Sequence, residues 1–261
     1  MHIGFVQTSP LFGEKQKNFA AVQELLMGCK ADLLVLPELF ATGYAFTSVP
    51  EVTGLSEGKG EETSLFLQKL AGLCNATLVA GFIERENGNC YNAAMMADAS
   101  GIITTYRKLH LFNKEKIWFS PGNKAPEVVT VQGVKLGMMV CFDWIFPETC
   151  RTLALKGAQI IAHPSNLVLP WAQQAMITRC VENRVFAVTA NRIGREQRGE
   201  DDFSFTGQSQ ITGCKGEVLA SAPDNTACVQ IVEIDPELAT DKSVNPYNDL
   251  LNDRRSQFYS I

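Results

Sequence analysis

Apolar residues along this chain switch between a period of two and a helical period, and the switching predicts strands exchanged with helices from end to end. Ile3–Gln7 has the length and apolar character of a first strand. Lys15–Cys29 carries Phe19, Val22, Leu25 and Leu26 at helical spacing, and Leu33–Leu36 is a buried strand stopped by Pro37. Glu62–Leu73 is a second helix, with Leu65, Phe66, Leu70 and Leu73 assigned to its inner face. Three strands follow at Leu78–Glu84, Asn92–Ala97 and Ile102–Tyr106, separated by turn signals at Asn87-Gly88 and Ser100-Gly101. Glu127–Val131 and Lys135–Val140 form a hairpin across Gln132-Gly133-Val134. The pattern then resumes: helix Pro147–Lys156, strand Gln159–His163, helix from about Trp171 to Asn183, strand Phe186–Asn191. Gln208–Thr212, Glu217–Ala220 and Cys228–Ile234 read as antiparallel strands, and Asn245–Ile261 as a polar tail.

Many strands with a few long helices imply an α/β fold in which helices cover sheet layers. Periodicity leaves open whether there is one sheet or two. No linker rich in Pro, Gly or Ser interrupts the 261 residues, so the chain reads as one domain, 1–261. Hydrophobic residues make up 46% and charged residues 20%, enough apolar content for a large core.

Charge and composition then remove whole classes of function. The net charge is −5, with Lys and Arg scattered, which excludes the basic stripe of a nucleic-acid binder. The longest apolar runs, such as Leu136–Phe142, are far too short to cross a bilayer. Met-His-Ile-Gly-Phe-Val-Gln at the start lacks a targeting pattern, so a cytoplasmic location is expected. The eight cysteines are widely spread, which favours free thiols over disulfides. No Cys-x-x-Cys or His-Glu-x-x-His occurs, and neither metal nor cofactor is expected. Gly54–Gly60 has the wrong spacing for a phosphate loop, and Arg195–Asp202 reads as a solvated charged loop.

Three residues stand out chemically. Cys141 ends an apolar strand, and Pro147-Glu148 opens a helix a few residues later. Such a tight connection either buries an inert thiol or presents a nucleophile beside free backbone N–H groups. Lys108 follows the strand Ile102–Tyr106; it is either a solvated charge or an ammonium that lowers a nearby thiol's pKa and stabilises an oxyanion. Glu38 sits in Leu36-Pro37-Glu38-Leu39-Phe40, just past a buried strand. It either binds backbone or an arginine, or serves as a general base.

Taken together, Pro37-Glu38-Leu39-Phe40, Tyr106-Arg107-Lys108-Leu109-His110-Leu111-Phe112 and Cys141-Phe142-Asp143-Trp144-Ile145-Phe146-Pro147-Glu148 resemble the three motifs of the nitrilase superfamily, in its order and spacing. The similarity runs from Ile3 to Asn252-Asp253-Arg254-Arg255 and is strongest to compact archaeal-type nitrilase/amidase members. The resemblance implies a four-layer α-β-β-α sandwich and a homodimer or higher homo-oligomer, with the tail at about 245–261 in the interface. It implies Cys141 as nucleophile, Glu38 as general base and Lys108 as transition-state stabiliser, with Lys108 and the backbone N–H of Phe142 forming the oxyanion hole. Glu115 matches an additional glutamate that positions the lysine or assists proton transfer; otherwise it is a surface charge. Asn166 is a candidate substrate contact. Trp144, Phe112, Tyr44 and Trp171 are candidate pocket walls or plain core. The implied activity is hydrolysis of a small carboxamide through a thioester, with nitriles and carbamoyl amines as alternative substrates. A non-catalytic binding protein on the same fold is the rival that retention of all three residue types opposes.

Overall fold

Side chains alternating along the first strands separate the two largest cores of the interior. The computed structural model describes residues 1–259. Its first half runs β1 (His2–Gln7), α1 (Lys15–Leu25), β2 (Leu33–Val35), α2 (Val49–Leu55), α3 (Glu62–Cys74), β3 (Thr77–Glu86), β4 (Asn89–Asp98), β5 (Gly101–Arg107) and α4 (Glu115–Trp118). The second half runs β6 (Val128–Val131), β7 (Val134–Met138), a 3-10 turn at Cys141–Ile145, α5 (Pro147–Leu155), β8 (Ile160–Pro164), α6 (Ala172–Asn183) and β9 (Phe186–Ala190). It closes with β10 (Arg195–Arg198), β11 (Asp201–Ser204), β12 (Gln210–Thr212), β13 (Val218–Ser221), β14 (Cys228–Glu233), β15 (Ser243–Asn245) and β16 (Asn248–Asp249).

Two six-stranded sheets have the orders β14-β1-β2-β3-β4-β5 and β6-β7-β8-β9-β12-β13. Each contains three parallel strands with one antiparallel strand on one side and two on the other, so the halves repeat one design. Parallel neighbours need crossovers, and α1, α3, α5 and α6 supply them. In the first sheet Ile3, Phe5, Leu33, Val35, Val79, Ala94 and Met96 face the second sheet. The alternate positions Val6, Leu34, Leu36, Leu78, Ala80 and Met95 face α1 and α3. On the far side α5 and α6 contribute Leu153, Ala154, Met176 and Cys180 to the other core. The layers therefore run helix, sheet, sheet, helix. A bridge between Thr8 and Arg192 joins the carboxyl ends of β1 and β9, so both parallel sets end at one edge.

Several expectations shift. α1 stops at Leu25, short of Cys29, because Gly28 takes a left-handed conformation just beyond it (φ +76°). Leu65 and Leu73 are exposed, whereas Thr63, Ser64, Leu67, Leu70, Ala71 and Cys74 face inward. The phase turns because the Thr63 hydroxyl and N–H both donate to the buried Glu57 carboxylate. Helix α2 was unanticipated, although Ser48 caps it by accepting from the Glu51 N–H and Pro50 opens it. The Arg195–Asp202 segment is a β-hairpin whose Glu196 is buried, not a wholly solvated loop. All eight cysteines are free. Within the expected tail, residues 260–261 lie outside the described ones. Among the described residues no helix is long and apolar enough to cross a membrane.

One close approach fixes the loop after β2. A Cβ on Gly81 would fall 2.4 Å from the Glu38 Cα and 2.6 Å from the Leu39 N. The Gly81 N–H donates to the Pro37 carbonyl at 3.1 Å. Since both obstructing atoms are backbone, Gly81→Ala must displace the loop, and we expect it to destabilise the protein by about 1–3 kcal/mol in urea denaturation. An unchanged denaturation midpoint would contradict that packing.

Candidate active site

Glu38, Lys108 and Cys141 are each delivered by a strand end, and backbone contacts hold each delivery. Glu38 follows β2, pinned against Gly81. Lys108 follows β5; its N–H donates to the Asn92 carbonyl at 2.9 Å, and its own carbonyl accepts from Gly122 at 2.8 Å. Gly122 is required there, since a Cβ would lie 2.3 Å from the Arg107 carbonyl oxygen. Cys141 follows β7 with φ +41°, a left-handed conformation that costs a non-glycine residue about 1–2 kcal/mol.

The side chains converge. The Lys108 ammonium donates to Glu38 Oε1 and to Glu115 Oε1, both at 2.8 Å. Glu38 and Lys108 are fully buried, Glu115 is 3% exposed and Cys141 6%. Asn92 Nδ2 donates to the same Glu38 Oε1 at 2.7 Å, which leaves Oε2 buried and without a hydrogen-bond partner among the described residues. The Tyr44 hydroxyl donates to the same Glu115 Oε1 at 2.7 Å, and the Phe112 N–H donates to Oε2 at 3.1 Å.

Burial alone would push the Lys108 ammonium's pKa down, but the Glu115 and Glu38 carboxylates outweigh it and hold the pKa above the usual lysine value. Glu115 is raised by its own burial despite the lysine. Tyr44 is raised by burial and by Glu115, so its hydroxyl stays a donor. Cys141 runs against the expectation that Lys108 would favour the thiolate. Burial, reinforced by Glu38, raises the thiol well above its ordinary value, and Lys108 offsets only part of this. The resting sulfur is therefore a thiol, within electrostatic reach of the Glu38 carboxylate.

Asn166 is 3% exposed; its backbone N–H faces the Cys141 sulfur, and both polar ends of its side chain lack partners among the described residues. Phe112 and Phe142 are half-buried and pack at 5.0 Å between ring centroids. A cavity of about 450 Å³ opens beside Phe142, between His110, Leu111, Lys116, Phe119 and Phe146. Trp144 lies in the core, and Trp171 is 61% exposed at the start of α6. A roomier surface hollow of about 590 Å³, near Asn75 and Thr130, lies away from all these groups.

Residues that the sequence did not single out complete the surroundings. Asn92 was signalled only by a polar side chain on the inward face of β4, in register with Ala94 and Met96. Glu196 accepts from the N–H groups of Tyr44 and Ala45 and pairs with Arg192 at 2.6 Å, so β10 holds the Tyr44 loop. His163 lies 2.9 Å through Nε2 from the Cys141 carbonyl, which makes that nitrogen the donor.

Residues 2–242 match the carbon-nitrogen hydrolase family. The chain belongs to that family. A nitrilase from Pyrococcus abyssi is 42% identical, with 98% of each chain covered. A carbon-nitrogen hydrolase from Helicobacter pylori G27 superposes with a TM-score of 0.88 at 29% identity, covering 99% of this chain and 97% of that one. An amidase from Nesterenkonia sp. AN1, whose variant carries acrylamide at the active-site cysteine, has a TM-score of 0.80 at 25% identity, covering 98% and 97%. This carbon-nitrogen hydrolase thus shares the mixed α/β fold of nitrilase-superfamily amidases, with sheets flanked by helices.

Burial pushes the His163 imidazole of this hydrolase down to about 4. The unfolded chain takes up that proton near 6.5, so stability falls as pH drops from about 6.5 to 4, by about 3 kcal/mol from this group. We expect wild type to lose that much more than His163→Gln over this window in urea titrations. Parallel pH curves for the two proteins would contradict the assignment.

Proposed function

We propose that this carbon-nitrogen hydrolase cleaves a small carboxamide, with Cys141 as nucleophile, Glu38 as general base and Lys108 as the cation that stabilises the tetrahedral oxyanion. The observation that carries this is Glu38: one oxygen is saturated by Lys108 and Asn92, and the other is buried and free. An unpartnered buried carboxylate oxygen is costly to keep, and a proton in transit is what it can serve.

In the first half-reaction Glu38 takes the thiol proton as the sulfur bonds to the carbonyl carbon. A raised thiol pKa suits this order, since the thiolate forms only as it attacks. The carbonyl oxygen gains the negative charge beside the Lys108 ammonium and the Phe142 N–H. Glu38 then passes its proton to the leaving nitrogen, the carbon–nitrogen bond breaks, and ammonia or an amine departs from the thioester. In the second half Glu38 takes a proton from water, the hydroxyl adds to the thioester, the carbon–sulfur bond breaks, and the proton returns to the sulfur. Splitting one hard step in two is the benefit of covalent catalysis. Glu115 holds Lys108 in line, with Tyr44 and Phe112 holding Glu115.

Asn166 favours an amide over a nitrile. Its carboxamide has a donor and an acceptor that are both buried and without partners among the described residues, on the residue whose backbone N–H faces the Cys141 sulfur. A substrate amide supplies a carbonyl and an N–H to match them, whereas a nitrile leaves the Asn166 oxygen unsatisfied at a cost of about 1–3 kcal/mol. Nitrile hydrolysis through a thioimidate and carbamoyl-amine hydrolysis remain the alternatives for the same nucleophile. A homodimer with the 245–261 tail at its interface is part of the same proposal; Tyr247, 91% exposed, and Phe258, 67% exposed, supply apolar surface for it.

Two outcomes test the reading. Cys141→Ala and Glu38→Gln each reduce ammonia release by on the order of 10³-fold or more, with folding intact by circular dichroism. Turnover retained by Cys141→Ala would overturn the mechanism. Across matched amide and nitrile pairs, the amide is turned over at least about tenfold faster, and turnover of nitriles alone would overturn the substrate class.

A further inference from the structure

Asp143 lies two residues after Cys141, is fully buried, and accepts four hydrogen bonds from three segments. Its Oδ2 receives the Val140 N–H at 2.9 Å and the Tyr106 hydroxyl at 2.8 Å. Its Oδ1 receives the His110 backbone N–H at 3.1 Å and lies 2.7 Å from His110 Nδ1. Lys108 stands midway between Tyr106 and His110. One carboxylate therefore brackets the lysine on both sides and also grips the residue that precedes the nucleophile.

We propose that Asp143 is a positioning residue that sets the distance between the Cys141 sulfur and the Lys108 ammonium. The proposal rests on the reading of those two groups as the reacting centre. Cys141 sits in a left-handed conformation that the chain would relax if released. Asp143 accepts from the N–H of Val140, the residue before Cys141, while His163 holds the Cys141 carbonyl. The Asp143 N–H also returns to the Val140 carbonyl at 3.1 Å, which closes the turn on itself. The far end of the hub is stiffened by stacking of the His110 ring on Phe146, 3.7 Å between centroids. Burial and the Asp143 charge both raise Tyr106, keeping its hydroxyl protonated and donating.

A carboxamide cannot replace this carboxylate. Whichever way an asparagine is turned, its NH₂ faces a backbone donor, either the Val140 N–H or the His110 N–H, and one contact becomes a donor–donor clash. The clash moves the nucleophile turn and the lysine loop relative to each other without touching substrate. A shift of about 1 Å between reacting groups costs on the order of 10²-fold in rate.

The test measures kcat and KM for Asp143→Asn, Tyr106→Phe and His110→Phe, the last keeping the stack on Phe146, alongside Cys141→Ala as the reference for the chemistry. Asp143→Asn is expected to lower kcat about 100-fold while KM moves less than about threefold. Tyr106→Phe and His110→Phe are each expected to lower kcat severalfold, and to add little in the Asp143→Asn background because all three act through one carboxylate. If Asp143→Asn does not fold, the two milder variants and their double variant carry the test. Wild-type kcat in Tyr106→Phe and His110→Phe, or kcat losses that multiply independently, would overturn the positioning role while Cys141→Ala stays inactive. An active Cys141→Ala would overturn this proposal together with the reading it rests on.

Discussion

A single ammonium inside the protein carries the rest of this architecture. Moving a lysine and two glutamates out of water costs several kcal/mol per ion, and only close pairing recovers it. Lys108 meets both carboxylates at 2.8 Å, and each carboxylate is further tied down, Glu38 by Asn92 and Glu115 by Tyr44 and Phe112. Buried ion clusters are often replaceable by apolar side chains of similar volume without loss of stability. Retention of this one fits a reactive role better than a structural one. Burial raises the thiol, the two carboxylates add to that, and the Lys108 ammonium offsets only part of it.

Topology makes the convergence possible. Each sheet ends its three parallel strands at the same edge, and the Thr8–Arg192 bridge joins those edges. Glu38, Cys141 and Asn166 all follow parallel strands, β2, β7 and β8, whose carboxyl ends are the usual location of ligand sites in such sheets. Lys108 arrives from the antiparallel strand β5 and is steered inward by backbone bonds to Asn92 and Gly122. Gly81 and Gly122 mark where two backbones must touch for this to happen.

Much of this was legible in the sequence because burial writes itself as periodicity. The parallel strands are short apolar runs, and their alternate residues divide between the two cores as a period of two requires. Family motifs marked Glu38, Lys108 and Cys141, and the structure brings the glutamate and the lysine together directly. What stayed hidden depends on partners distant in sequence. Asn92 and Glu38 are 54 residues apart, His110 and Asp143 are 33 apart, and Tyr44 and Glu115 are 71 apart. A polar residue in an apolar run announces a buried hydrogen bond without naming the other end. The same reason explains the misjudged face of α3, where Thr63 and Ser64 turn inward toward Glu57 and its surroundings, and the charged stretch at 195–202, whose Glu196 serves the Tyr44 loop.

Lys108 is the cation that lets two carboxylates remain buried. The most direct measurement is the difference in unfolding free energy between wild type and Lys108→Met as a function of pH. Without the ammonium, burial and the neighbouring Glu38 charge hold the Glu115 carboxyl up unopposed, so the folded variant binds a proton that the unfolded chain releases above about pH 4.5. The predicted difference is about 3–5 kcal/mol near pH 8 and shrinks steadily toward pH 5. A difference that is small, or constant across that range, would contradict the account.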